Sequence, residues 1–117
     1  MADQIAGELP AGRAYLADQL RRAASSIPLN IAEGAGEFSR KDKARFYRMA
    51  RRSATESAAV LDVARKLDLA KSESIGLGRQ QLLRIVSMLI AMCRTLRPST
   101  GAGAGTGTER AQAPLDR

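Results

Sequence analysis

The 117-residue sequence has no histidine, no tryptophan and a single cysteine, and these absences exclude several classes of site. Without histidine there is no imidazole base, no Ser-His-Asp triad and no histidine-ligated metal. One cysteine cannot form an intrachain disulfide or a multi-cysteine metal site. The acidic residues Glu33, Glu37 and Asp42 do not follow the spacing of a cation site. We therefore expect a protein that is not an enzyme and that uses no metal or cofactor.

Aromatic residues and long apolar runs are also scarce. Two tyrosines and two phenylalanines argue against a platform that stacks the bases of a single-stranded nucleic acid. No run approaches the roughly 20 apolar residues of a membrane span, and no secretory signal is recognisable at Met1–Pro10. We expect no membrane partner and a cytoplasmic location, with Cys93 a reduced thiol in the core.

Positive charge, by contrast, is abundant and clustered. The chain has 19 Lys and Arg against 12 Asp and Glu, which gives a net charge of +7. Six of the cations follow helical spacing on one side of a long predicted helix, and we call them the basic face: Arg40, Lys41, Arg45, Arg48, Arg51 and Arg52. Four of them, at i, i+4, i+7 and i+11, fall within roughly 60° of arc. The face is either a solvated helix surface or a binding surface for phosphates or an acidic partner, and the scarcity of interleaved acids favours binding.

The apolar periodicity predicts three main helices and no strands. The first helix begins near Arg13 and should kink at Pro28 or end just before it, near Ser26 or Ile27. The third begins after Ser72 and ends near Leu96, although two glycines in its first turns could delay the start to Arg79.

The second helix is the longest, and Ser39 precedes it with Asp42 at the spacing of a capping box. The helix should run to Leu69, because no glycine or proline interrupts that stretch. We expect Phe46 and Leu67 on its buried side. Tyr47 should lie at the flank, where it could serve an interface or stack on a base, and we favour the interface. Around these helices the chain divides into a short N-terminal segment (1–12), a helical domain (13–97) and a Gly/Ala/Thr-rich tail (98–117) that we expect to be disordered.

The stretch from position 18 to 34 reads DQLRRAASSIPLNIAEG. It resembles a motif of the four-helix-bundle proteins that are encoded in intervening sequences of bacterial large-subunit ribosomal RNA genes. The matching positions form the structural motif of that family: Arg21, Arg22, Ile27, Pro28, Asn30, Glu33 and Gly34. The continuation through Ser39, Lys41 and Arg45-Phe46 also fits the family.

This resemblance implies an all-α, up-and-down antiparallel helical bundle without known catalytic activity that assembles with itself, commonly as a pentamer. In this chain the first helix of the bundle is shortened to at most two turns before Pro10. A similar protein is an accessory to the reverse transcriptases of diversity-generating retroelements. We therefore expect a non-enzymatic homo-oligomer whose basic face binds RNA or DNA through phosphates. The alternative is a protein-interaction scaffold, or an accessory subunit of an enzyme such as a reverse transcriptase, that uses the same face for an acidic protein partner.

Overall fold

The structure is a computed structural model and describes residues 1–97, and the regular elements of that range are all helical. They are α1 (Ala2–Glu8), α2 (Ala14–Ala35), α3 (Arg40–Lys66) and α4 (Ser72–Thr95), with a short 3-10 turn at Ala11–Arg13 between α1 and α2. The helices pack antiparallel, which confirms the all-α bundle and its shortened first helix. The predicted tail, 98–117, lies outside the described residues.

Helix α2 passes through Pro28 and continues to Ala35, so of the two predicted alternatives the end near Ser26 or Ile27 does not occur. Proline has no backbone N–H and removes one hydrogen bond of the helix at this point. The side-chain amide of Asn30 donates to both the carbonyl oxygen and the Oγ of Ser26, each at 2.9 Å. This pair of bonds ties together the two turns on either side of Pro28 and supports the helix there.

Helix α3 is bounded by a side-chain cap at its N-terminus and by a backbone motif at its C-terminus. The Oγ of Ser39 accepts the Asp42 backbone N–H at 3.0 Å, which confirms the predicted N-cap. At the other end Asp68 has a φ of 54°, and the backbone N–H of Leu69 donates to the Ala64 carbonyl at 2.8 Å. This arrangement is a Schellman motif with Asp where glycine is usual. The helix therefore ends at Lys66, before the predicted end at Leu69, because Asp68 takes the left-handed conformation.

Helix α4 begins at Ser72, so the predicted delay to Arg79 does not occur. Its N-terminus is capped from α1, since the carboxylate of Glu8 accepts the Lys71 backbone N–H and the Ser74 hydroxyl, both at 2.9 Å. Ile75 is buried in the first turns and adds apolar contact there. The cap and this burial offset the helix-weakening effect of the two glycines.

The core has two clusters, and α1 belongs to the larger one. Ile5 of α1 is almost completely buried with Leu20, Leu61 and Leu82 from the three long helices. The second cluster, at the other end of the bundle, joins Tyr47 and Ala50 of α3 to Leu89 of α4. The N-terminal segment thus contributes to the core of the helical domain even though it forms only two turns of helix.

Helix α3 packs against α2 on one side and against α4 on the other. The buried arc of its surface is therefore wider than the single apolar stripe that the sequence predicts. Ser53 faces α2, where its Oγ lies 2.8 Å from the Oγ of Ser26. Tyr47 faces α4 and is buried, so its predicted position at the flank is wrong. Leu67, predicted to be buried, is 48% exposed because it lies beyond the end of α3, and Phe46 is half-buried.

Candidate nucleic-acid interface

The basic face occupies the outer side of α3, opposite the residues that α3 buries. Arg40, Lys41, Arg45, Arg48 and Arg52 are exposed and Arg51 is half-buried. From Lys41 to Arg52 the helix rises about 16 Å, at roughly 1.5 Å per residue. A stacked strand of about five nucleotides spans this length, at ~3.4 Å per nucleotide. The predicted arc of positive charge is therefore a continuous stripe on the surface.

No carboxylate of residues 1–97 forms an ion pair with the basic face. Ion pairs within that range join Arg21 to Asp3 at 3.5 Å and Arg79 to Asp62 at 2.8 Å. The first pair joins α1 to α2 and the second joins α3 to α4, and neither includes a residue of the basic face. The charges of the basic face are thus exposed to solvent without neutralising partners in the described chain. They can attract polyanions from solution.

Lys43 lies between Arg40 and Arg52 in the sequence, but its role is structural. Its ammonium donates to the carbonyl oxygens of Gly34 at 3.3 Å and Ala35 at 3.2 Å. These carbonyls belong to the last turn of α2, and the Gly34 carbonyl also accepts the backbone N–H of Glu37 at 3.2 Å. Lys43 therefore closes the C-terminus of α2 and is not a member of the basic face.

Arg45 differs from the other cations of the face because an aromatic ring holds it in place. Its guanidinium lies over the ring of Phe46, 4.5 Å from the ring centroid. A cation in this position is attracted by the negative face of the ring. The contact restricts the Arg45 side chain and reduces the entropy that it would lose on binding a phosphate.

Three of the seven family-motif residues, Ile27, Asn30 and Gly34, lie in the core or near the contact between α2 and α3. Ile27 is buried in the larger core cluster. Gly34 is also buried, and a Cβ placed on it would lie 2.6 Å from Cε1 of Tyr47. Asn30 bonds to Ser26, which in turn meets Ser53 of α3.

The charged residues of the motif have different positions. Arg21 pairs with Asp3 of α1, whereas Arg22 and Glu33 are exposed and form no ion pair within residues 1–97. Pro28 is exposed on α2. Part of the motif thus joins α2 to its neighbouring helices, and none of its residues lies on α3 with the basic face.

One surface residue was missed by the sequence reasoning. Phe38, in the loop before α3, is 100% exposed. A hydrophobic residue directly before an N-cap usually packs against the fourth residue of the helix, as a hydrophobic staple. With Ser39 as the N-cap, that fourth residue is Lys43, which points to the end of α2. A lysine at this position was the sequence signal that Phe38 has no apolar partner.

Neither a membrane span nor a metal cluster is found in the described range. None of the four helices is long and apolar enough to cross a membrane. Residues 1–97 bring no three Cys, Asp or Glu side chains together as metal ligands. The basic face is therefore the candidate site that the described residues offer.

Of two comparisons with known proteins, one assigns the chain to a family. No curated protein matches it. A family described as 23S rRNA-intervening sequence protein matches residues 4–91. The matched range includes part of α1 and most of α4, and so extends well beyond the motif in α2. The chain belongs to the 23S rRNA-intervening sequence protein family.

Proposed function

We propose that this protein is a non-enzymatic, cytoplasmic homo-oligomer that binds RNA or DNA through the basic face. The observation that carries the proposal is the absence of ion pairs at this face within residues 1–97, on the side of α3 that lies away from the core. Phosphates would supply the missing negative charge. Such contacts position a strand on the protein without reading its sequence.

The binding should depend strongly on salt. Each phosphate that a cation neutralises releases counterions, so the affinity falls as the salt concentration rises. The logarithm of the affinity changes with the logarithm of salt by about −0.7 per phosphate for single strands and about −0.9 for duplex DNA. A slope of this kind measures how many phosphates the basic face contacts.

The first prediction concerns neutralisation of the face in the variant R45Q/R48Q/R52Q. Glutamine keeps a good helix propensity and removes three charges, which lowers the net charge from +7 to +4. We expect binding of a labelled RNA or DNA oligomer, measured by filter binding or gel shift, to weaken at least tenfold, with a shallower salt slope.

The matched control is R65Q/K66Q/R84Q, which removes three exposed charges outside the basic face and gives the same net charge. Binding by this control should stay within about threefold of the parent, because long-range steering by net charge is screened at physiological salt. Equal losses in the two variants would mean that net charge alone drives binding, and unchanged binding in the first would refute the proposed site.

The scaffold alternative uses the same exposed guanidinium groups, which also bind carboxylates well. Here the partner would be an acidic protein, such as a polymerase to which this chain is an accessory subunit. Pull-down from a host lysate after nuclease treatment separates the two functions. A protein that remains bound to the parent and is lost from R45Q/R48Q/R52Q would favour the scaffold, whereas loss of all partners with nuclease favours nucleic acid.

A further inference from the structure

Phe38 exposes its whole ring at the N-terminal end of the basic face. Its side chain packs against no other residue of the range 1–97. The large apolar area of the ring is therefore left in contact with water. The local fold does not require this residue there, since the N-cap of α3 is formed by Ser39 and the C-terminus of α2 is closed by Lys43. An exposed aromatic ring beside a row of cations is the combination that binds bases and phosphates together.

The charge around Phe38 changes along the chain. Between positions 37 and 42, Glu37 and Asp42 balance Arg40 and Lys41, so the net charge of this short stretch is zero. From Arg45 onward the stripe is purely basic as far as Arg52. Phosphates are therefore drawn to the middle of α3, while the end near Phe38 offers a ring with little net charge around it.

We infer that Phe38 stacks on an unpaired base of the bound nucleic acid while phosphates lie along Arg45 and Arg52. This inference rests on the proposed function and deepens it, because it names the ligand as a strand with at least one unpaired base. A base in the middle of a blunt duplex has both faces covered by its neighbours and cannot receive the ring. The two phenylalanines thus act differently, since Phe46 orients Arg45 and Phe38 contacts the ligand directly.

The first test compares F38A with the parent on two labelled RNAs, a 12-nucleotide single strand and a blunt duplex of the same length. Truncation of a stacking aromatic ring removes about 1–3 kcal/mol per base, so single-strand binding should weaken roughly tenfold. Duplex binding should not change. The salt slope should stay the same in F38A because no charge is lost.

The second test uses the absence of tryptophan from the sequence. In F38W the new indole is the sole tryptophan, and a base stacked on it should quench its fluorescence and restore the single-strand affinity. Inorganic polyphosphate, which has charge but no bases, should bind without quenching. The matched variant is Y15W, because Tyr15 is an exposed aromatic residue at the other end of the bundle, and single-stranded RNA should not quench it.

The outcomes separate this inference from the proposed function. If R45Q/R48Q/R52Q loses binding while F38A keeps full single-strand affinity, the proposed binding by the basic face is supported and the stacking inference fails. If R45Q/R48Q/R52Q binds as well as the parent, the proposed function itself fails. A change in the mass of the F38A assembly, measured by light scattering without nucleic acid, would make Phe38 a contact between copies and would overturn the inference.

Discussion

Gly34 is a residue at which the packing of α2 against α3 leaves no room for a side chain. A Cβ built at this position would meet Cε1 of Tyr47 at 2.6 Å and Cδ1 at 2.9 Å, and it would also lie 3.2 Å from Cβ of Phe46. The Tyr47 ring is itself buried against α4 and has little room to move. The close approach of the two helices therefore depends on the missing side chain.

The second prediction is that G34A destabilises the protein by about 1–2 kcal/mol, as an overpacked core contact does after the helix-propensity gain of alanine is subtracted. The matched control is G76A in α4, because nothing lies within 4 Å of a Cβ at that position. The control should stabilise the protein by up to about 1 kcal/mol. Urea unfolding followed by circular dichroism measures both, and a midpoint for G34A at or above that of the parent would contradict the close contact.

For single residues, the sequence predicts which side chains are exposed better than it predicts which groups those side chains contact. The side chains of Lys41, Arg45 and Arg52 are exposed as the helical spacing predicts. The bonds of Lys43 to the end of α2 and the Arg45–Phe46 contact were not predicted, because spacing along one helix does not reveal how the next helix approaches. The exposure of Phe38 was open to prediction, since it follows from the lysine at the staple position.

Among the helices, the cap of α4 depends on the shortest one. Glu8 lies at the end of α1 and supplies two acceptor oxygens to the first turn of α4, whose own N-cap residue, Lys71, makes no side-chain cap. The hydrogen bond from the Lys71 backbone N–H, followed by that from Ser74, holds the pKa of Glu8 below its ordinary value. The carboxylate form of Glu8 is therefore favoured in the folded protein relative to the unfolded chain.

The third prediction follows from this shift. A carboxyl group whose pKa is lowered by folding stabilises the protein above its unfolded pKa of about 4.3, and this stabilisation disappears as the pH falls through the lower folded value. We expect the urea midpoint of E8Q to be lower than that of the parent at pH 7. Below about pH 4 the two midpoints should approach each other.

The control is E73Q, which removes the same charge from the first turn of α4 at a residue that forms no hydrogen bond to the Lys71 backbone. Its midpoint should fall less than that of E8Q at neutral pH. A difference between the parent and E8Q that stays constant from pH 7 to pH 3 would show that the carboxylate charge does not contribute to the cap.

The helices themselves show which parts of a bundle a sequence can predict. Helix α3 was predicted well at its start, because the Ser39 cap is a local signal. Its end was missed, since Asp68 takes the place of glycine there. The start of α4 was left between Ser72 and Arg79, because the cap that supports the earlier start comes from Glu8, 63 residues before Lys71. Contacts that join distant positions leave no periodic pattern in the chain.

Over the whole molecule, the described surface retains apolar side chains that a partner could cover. Leu77 and Met88 of α4 are 58% and 47% exposed. They lie eleven positions apart, which places them on nearly the same side of a helix with 3.6 residues per turn. Single exposed apolar residues are ordinary, but an aligned pair on the outside of a small bundle is consistent with the proposed self-association.

The fourth prediction is that the protein forms an assembly, with a pentamer favoured by the family resemblance, and that α4 contributes to its contacts. Light scattering should give the same oligomer mass at 0.1 M and 0.5 M salt, about the range over which charge pairs at a surface become screened, because apolar contacts do not weaken with salt.

The variant M88E should reduce that mass, while L29E, which adds the same charge at an exposed leucine of α2, should leave it unchanged. These outcomes also separate assembly from ligand binding, since high salt should release nucleic acid from the basic face while the protein contacts persist. A monomer at both salt concentrations would refute self-association. An oligomer that dissociates at 0.5 M salt would instead place charged side chains, rather than the apolar surface of α4, at the contact between copies.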